Sequence, residues 1–528
     1  MANRTLFQSI RGRLAPRADA ANREGAPAYA YTDAHALVQG AMTGTFGGTF
    51  YADAPAELDR LVDLAGRVEP AFLARAAVYT RQRGHMKDAP AVLLAVLARR
   101  DPALFRAVFA RVVDNGRMLR TFVQVVRSGQ TGRRSLGTRP KAMVAGWLNT
   151  ASDRALVRAS IGRDPSLADI LRMVHPRPAS PAREALFAWI LGRPADVARL
   201  PQPLQDWLAF KAALEAGEAG EIAVPDVPFQ MLTQLPLQPR HWAGIARQGS
   251  WQMLRMNLNT FLRHGVFDDP AMVAHVARVL ADPAHVRGAR AFPYQLMVAA
   301  RAVSAEMPGE IAAALGQAME HAVANVPALD GRVAVCPDVS GSMTWPVTGW
   351  RPGATSAVRH VDVAALVAAA VLRRNPGAEV LPFDTAVRRV RLAPGDSVAT
   401  NAERLAALGG GGTACAAPLE WLAARGRAPD TVILVSDNQS WADWTHSDLR
   451  LGGGTAVMRA WERLKAKNPK ARLVCLDIAP YGTTQAPERD DVLNIGGFSD
   501  SVFDQLAAFA RGRMGPGHWM AEIEAIAL

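Results

Sequence analysis

Apolar and polar positions along the chain follow two different rhythms, and the change falls near residue 326. From about 52 to 325, apolar residues recur at i, i+3 and i+4, broken by Pro, Gly or Asp, as in "PAFLARAAVYTRQRG", "DPALFRAVFARVVDN", "MLRTFVQVVRS" and "AMVAHVARVLADP". This spacing gives each segment one apolar stripe along a helix, and short breaks make successive helices pack as pairs. It predicts a stack of paired helices of the HEAT type, although no fixed period marks the repeats.

After 326 the pattern turns to short β-branched runs between helical segments. The strands read as "RVAVCPD", "AEVLPFD", "VRRVRL", "TVILVSD", "ARLVCLD" and "VLNIGG", and the helices as 361–374, 414–425, 454–467 and 500–511. Such alternation predicts a doubly wound, mainly parallel sheet, whose ligands bind outside the carboxyl ends of its strands. The chain thus divides into a basic tail over 1–30, a helical-repeat domain over 31–325 and an α/β domain over 326–528.

With 528 residues, 49% hydrophobic and 20% charged, the chain supports more than one core. No apolar run reaches the ~18 residues of a membrane span, and the longest, "VDVAALVAAAVL", reads as a helix. The Arg-rich opening has no apolar h-region, so it does not read as a secretory signal. Cys336, Cys415 and Cys475 are too few and too far apart for a disulfide framework or a CxxC metal site. A reducing cytoplasm, with no membrane contact, is the expected location.

Charge separates the two halves as sharply as pattern does. Residues 326–528 hold 21 Lys/Arg against 21 Asp/Glu, so the net charge of +12 belongs to 1–325. Within that half, 99–183 carry 17 basic and 5 acidic residues. An uncompensated basic stretch points to a polyanion, and RNA or DNA fits better than an anionic membrane because no basic amphipathic helix stands out. Arg133 and Arg134, in the glycine-flanked "SGQTGRRSLG", are candidate phosphate contacts on spacing alone. Trp147, Trp189 and Trp251 fall on apolar helical stripes and read as core.

Candidate chemistry concentrates in "CPDVSGSM", where an apolar run ends in Asp338, Ser340 and Ser342. Gly341 and the loss of apolar character suggest a turn in which the three oxygens converge. Thr413, after the glycine run 409–412, and Asp437, ending "VILVSD", add a fourth and a fifth oxygen. Carboxylates and hydroxyls form a hard-oxygen set suited to Mg²⁺, Ca²⁺ or Mn²⁺, with Mg²⁺ the first choice, and poorly suited to Zn²⁺.

DxSxS at a first strand end, Thr after a Gly-rich loop and Asp at a fourth strand end together resemble the metal-ion-dependent adhesion site of von Willebrand A domains. The resemblance covers 326–528 and carries Asp338, Ser340, Ser342, Thr413 and Asp437 position by position. It implies an ion with one open coordination place, completed by water or by a partner's acidic group. One departure is "TWPVTGWRPGATSAVRH" at 344–360, longer than the usual connection and bearing Trp345, Trp350 and Arg351. It is expected at the rim of the site, covering the ion or touching a ligand, or else as an inert surface insertion.

The whole chain resembles a bacterial member of the Ro autoantigen family, in which a helical-repeat TROVE module precedes a von Willebrand A domain. The echoes are "GTFGGTFYADAPAELDRLVDLA", "SLGTRPKAMVAGWLN", "LADILRMVHPRP" and "FQMLTQLPLQPRHWAGI", followed by "PDVSGSM", "GGTACAAPLEW", "SDNQSW" and "NIGGFSD". The resemblance implies a ring of helices that holds a small structured Y-like RNA outside. Its hole would take single-stranded 3′ ends of misfolded noncoding RNA. It further implies a monomeric scaffold for RNA quality control, with an exoribonuclease as a possible partner. Arg158 and His175 match the family's basic RNA-facing positions, Arg163 stands one place from another, and Arg139 and Lys141 resemble a basic helix start facing the RNA.

Two other functions fit parts of the sequence. One is a metal-bridged protein-interaction module with only weak nucleic-acid binding. The other is a metal-dependent hydrolase, for which two carboxylates are few and Asp384 is the nearest third. No P-loop, GxSxG or HExxH appears, and a non-catalytic protein is expected.

Overall fold

The structure, a computed structural model, describes residues 15–43, 46, 51–217, 223–289, 293–323, 326–347, 358–443, 454–497, 500–512 and 517–528. Its N-terminal part is helical and its C-terminal part is a parallel-sheet α/β fold. Two compact units result. One holds Val68–Ala289, Ala302–Leu315 and Ile526–Leu528; the other holds residues up to Arg67, Arg290–Arg301 and Gly316–Ala525.

In the helical unit, polar residues in the breaks between helices open the next helix. Asp101 accepts hydrogen bonds from the N–H groups of Ala103 and Leu104, and Asn115 accepts one from Met118 N–H. Ser152, Ser166 and Ser180 cap the following helices in the same way. These caps satisfy amide groups that a helix start leaves orphaned, so the chain turns where the pattern breaks. Between the helices, Phe105, Phe109 and Phe122 pack with ring centroids 5.5–5.8 Å apart and are fully buried. The trio fixes helix Gly116–Arg127, from which the basic loop 128–137 departs.

The α/β unit contains β1 (Ala20–Ala21), β2 (Pro27–Ala30), β3 (Val333–Pro337), β4 (Glu379–Val380), β5 (Thr431–Ser436), β6 (Arg472–Asp477), β7 (Thr483–Thr484) and β8 (Val492–Gly496). Five of them form one sheet in the order β4-β3-β5-β6-β8, every pair parallel. All residues of β3 and β5 are buried, which their unbroken apolar runs require in a sheet covered on both faces. Helix His360–Arg374 covers the sheet with thirteen buried residues in succession, His360–Leu372.

Three differences from the sequence reading have local causes. "VRRVRL" forms no strand: Arg388 turns back to hold Asp384, and only Val387 makes an isolated bridge, to Phe383. Residues 398–406, left without an element in the sequence, form a helix capped by Ser397. Residues 20–30, read as part of a basic tail, instead build a second sheet, β1-β2-β7, antiparallel at Ala21↔Pro27 and Tyr29↔Thr484. Pattern cannot show this pairing because β2 is four residues long and its partner lies more than 450 positions away.

Asn22 anchors that segment. Its amide nitrogen donates to Ser440 O at 2.6 Å, its Oδ1 accepts from Glu24 and Ala26 N–H at 3.1 and 3.0 Å, and it is 7% exposed. Arg23 N–H donates to Gln439 Oε1 at 2.9 Å. Because Asn22→Ala strands a buried carbonyl and two amides, it is expected to destabilise the α/β unit by about 1–3 kcal/mol. Equilibrium denaturation followed by near-ultraviolet dichroism measures this; a tail residue would give no change.

Candidate functional site

The carboxyl ends of β3 and β5 place Asp338 and Asp437 on one edge of the sheet, since Pro337 pairs with Val435 in parallel register. Both side chains are buried, at 0% and 1% exposure. Ser340 N–H donates to Asp338 Oδ1 at 2.8 Å, and Ser436 Oγ donates to Asp338 Oδ2 at 2.6 Å. Ser340 Oγ and Ser342 Oγ stand 3.4 Å apart. Gln439 N–H donates to Asp437 Oδ1 at 3.1 Å.

The glycine run closes on this turn by main-chain bonds. Gly341 N–H donates to Gly411 O at 2.9 Å, and Gly410 N–H to Val339 O at 3.0 Å. Gly411 has φ +97°, and a Cβ there would meet Asp384 Oδ2 at 2.8 Å; a Cβ at Gly412 would meet the Trp441 ring at 2.5 Å. Only glycine fits so close an approach. The run delivers Thr413, buried, whose carbonyl accepts from Trp441 and Ala442 N–H at 2.9 Å each. The structure therefore gathers the loops of Asp338, Ser340, Ser342, Thr413 and Asp437 at one sheet edge.

No basic side chain among the described residues forms an ion pair with Asp338 or Asp437. Burial, then the neighbouring Asp437 charge, raises the Asp338 carboxyl above the usual carboxylate range, and burial raises Asp437. Asp384 differs: Arg388 grips its Oδ2 through Nε at 2.8 Å and Nη2 at 2.5 Å, so it is a partnered carboxylate and not a free third ligand. Among the described residues no group of three or more His, Cys, Asp or Glu is arranged to hold a metal. Two uncompensated carboxylates amid hydroxyls form a donor set that fits one hard divalent cation and neither Zn²⁺ nor a metal pair.

Sequence reasoning missed Ser436 and Asp477. Asp477 ends β6 as Asp338 and Asp437 end their runs; it is buried, pushed up to about 7 mainly by burial, and accepts from Asn438 Nδ2 at 3.0 Å. Its strand-final position in "LVCLD" was the available signal. Trp345, half-buried, accepts His360 N–H at its carbonyl at 2.9 Å, whereas Trp350 and Arg351 lie outside the described residues.

The basic candidates occupy consecutive loops and helix ends of the helical unit. Arg133 and Arg134 lie in the loop 128–137, Arg139 and Lys141 in the first turn of helix Thr138–Thr150, and Arg158 in the last turn of Asp153–Ala159. Arg163 follows in the next loop, and His175 terminates helix Leu167–Val174 in a left-handed conformation at φ 50°. All are exposed except Arg133, which is half-buried. None of the six Arg and Lys has an ion pair among the described residues, in contrast with Arg81, Arg154, Arg172 and Arg183. Trp251 is core, its Nε1 donating to Leu280 O at 2.9 Å, while Trp147 and Trp189 are half-buried.

Comparison with known proteins agrees with this layout. Residues 332–510 match the family described as the Ro60 vWA domain. The chain is 27% identical over 531 residues to a Deinococcus radiodurans protein named RNA-binding protein RO60, covering 93% of this chain and 95% of the relative. The crystal structure of the Deinococcus radiodurans Ro (RSR) protein superposes with a TM-score of 0.60 at 22% identity, over 92% of this chain and all of the other, a likeness of fold. Residues 332–510 thus match a von Willebrand A domain of the Ro60 type, and over nearly its whole length the chain is similar to a Ro protein.

Proposed function

We propose that this protein is a non-catalytic RNA-binding scaffold. The carrying observation is the set Arg133, Arg134, Arg139, Lys141, Arg158 and Arg163, six cations on adjoining loops and helix ends with no acidic partner among the described residues. Unpaired guanidinium groups on rigid helices are pre-organised to grip phosphates, which supply affinity and register without reading sequence. Selectivity then comes from RNA shape and single-strandedness. The Deinococcus relative's name supports RNA as the polyanion. Its ligands would be a small structured Y-like RNA and misfolded RNA with a single-stranded 3′ end, presented to an exoribonuclease by raised effective concentration.

The α/β unit, on this reading, holds a divalent cation, Mg²⁺ first, through Asp338, Ser340, Ser342, Thr413 and Asp437. The cation supplies the positive charge that the two buried carboxylates lack and an open place for a partner's acidic group.

Filter binding of a structured RNA with an unpaired 3′ tail checks the first part. Six phosphate contacts predict a slope of log K against log salt of about −4. Arg158→Glu with Arg163→Glu should reduce the slope by about 1–2 and the affinity at least tenfold, with no effect of EDTA. Weak binding that ignores the substitutions would remove the RNA reading; loss of a protein partner on adding EDTA would favour the interaction module.

Thermal denaturation against pH checks the second. Because folding raises both carboxyl pKa values, the metal-free protein loses stability as pH climbs from the ordinary carboxylate range towards neutrality. In EDTA, Asp338→Asn is therefore expected to melt above the parent at pH 7.5, with the difference fading towards pH 4. Saturating Mg²⁺ reverses the order: at a hundred times Kd it stabilises the parent by about 2.7 kcal/mol and leaves the variant nearly unchanged.

A further inference from the structure

The helical unit contains a cavity of about 880 Å³ with Arg158 in its wall. Helix Asp153–Ala159 forms one side, and residues 224–232 with helix Trp251–Arg263 form another. Its acids are already matched. Asp226 lies 3.2 Å from Arg154 Nη2, and Asp153 lies 3.4 Å from Arg183 Nη2. Arg120 and Arg158 have no such partner among the described residues, so the cavity carries two uncompensated cations.

Arg120 is the more telling of the two. It comes from helix Gly116–Arg127, is half-buried, and its Nε is buried without a hydrogen-bond partner. The guanidinium lies against the backbone at Gly162, where a Cβ would stand 1.7 Å from Nη1, and φ is +114°. Any side chain at 162 would strain the backbone and displace the guanidinium. Arg117 adds a like charge nearby. A solvated surface arginine needs no such seat, and a guanidinium held half-buried beside another arginine is costly unless an anion joins it.

The remaining lining says what accompanies the anion. An inorganic phosphate would fill a small part of the space. Phe229 and Met253 offer apolar faces, Met256 stands at 67% exposure, and Gln230 and Gln248 bring neutral donors and acceptors. Apolar faces with a few amides are what an unstacked base requires.

We propose that this cavity receives one unpaired nucleotide of a bound RNA. Arg120 and Arg158 hold its phosphate, and the base faces Phe229, Met253 and the amides. The inference rests on the RNA-binding reading above and deepens it, from a grip on backbone to a discrete nucleotide pocket.

The test uses the full chain and an RNA stem with an unpaired 3′ tail and an internal loop, carrying 2-aminopurine at each unpaired position in turn. One position is expected to change its emission on binding. Arg120→Gln should abolish that change and weaken binding about tenfold, while phosphate contacts elsewhere keep the complex. Met256→Glu, on an exposed position, should reproduce the loss without touching the packing. RNA bound at parental affinity by both variants, with no responding position, overturns the pocket and leaves the RNA-binding reading standing. Absence of RNA binding removes both. Adenosine monophosphate titrated calorimetrically separates the sources: binding to Arg120 tighter than that of the RNA would assign the pocket to a free nucleotide and overturn the proposal.

Discussion

Asp338 and Asp437 stand at the carboxyl ends of adjacent parallel strands, shielded from water and, among the described residues, without a basic side chain to balance them. Much of the α/β unit is organised around that cost. Ser340, Ser436 and Gln439 spend their hydrogen bonds on the two carboxylates, and in the glycine run Asp384 and the Trp441 ring leave no room for a side chain at Gly411 and Gly412. Asp384, a short way off, is neutralised by Arg388. The contrast is physical: Asp384 receives an arginine, whereas Asp338 and Asp437 have no basic partner among the described residues.

The helical unit shows the same logic with the sign reversed. Four of the five acids within 99–183 are engaged locally: Asp101 caps a helix, Asp114 pairs with Arg81, Asp153 pairs with Arg183, and Asp169 closes a capping box and meets Arg172. Helix ends and internal pairs thus consume the negative charge. Most of the arginines left over lie on loops and first or last turns, where helix packing does not bury them, and mid-helix Arg120 is seated against a glycine beside a cavity. Positive potential here is a by-product of how the acids are used as much as of how many arginines there are.

Local signals gave the strand ends, the glycine run and the capped helices, because each rests on periodicity or backbone geometry within a few residues. They failed where a residue's role depends on its partner. "VRRVRL" has the β-branched content of a strand, but Arg388 is needed by Asp384. Asp477 reads as one more strand-final acid until Asn438 is found on it, and 20–30 reads as a loose basic segment until Asn22 reaches Ser440.

The sequence by itself determined the two-part architecture, the parallel α/β sheet and the positions of the oxygens that end its strands, since hydrophobic period and turn chemistry act along the chain. Only the tertiary structure decided which charges stay unpaired among the described residues: that Asp384 is bound and Asp338 is not, that Arg154 is matched and Arg120 and Arg158 are not. Compensation acts through space over a few ångströms, between residues tens or hundreds of positions apart, and no linear pattern records it.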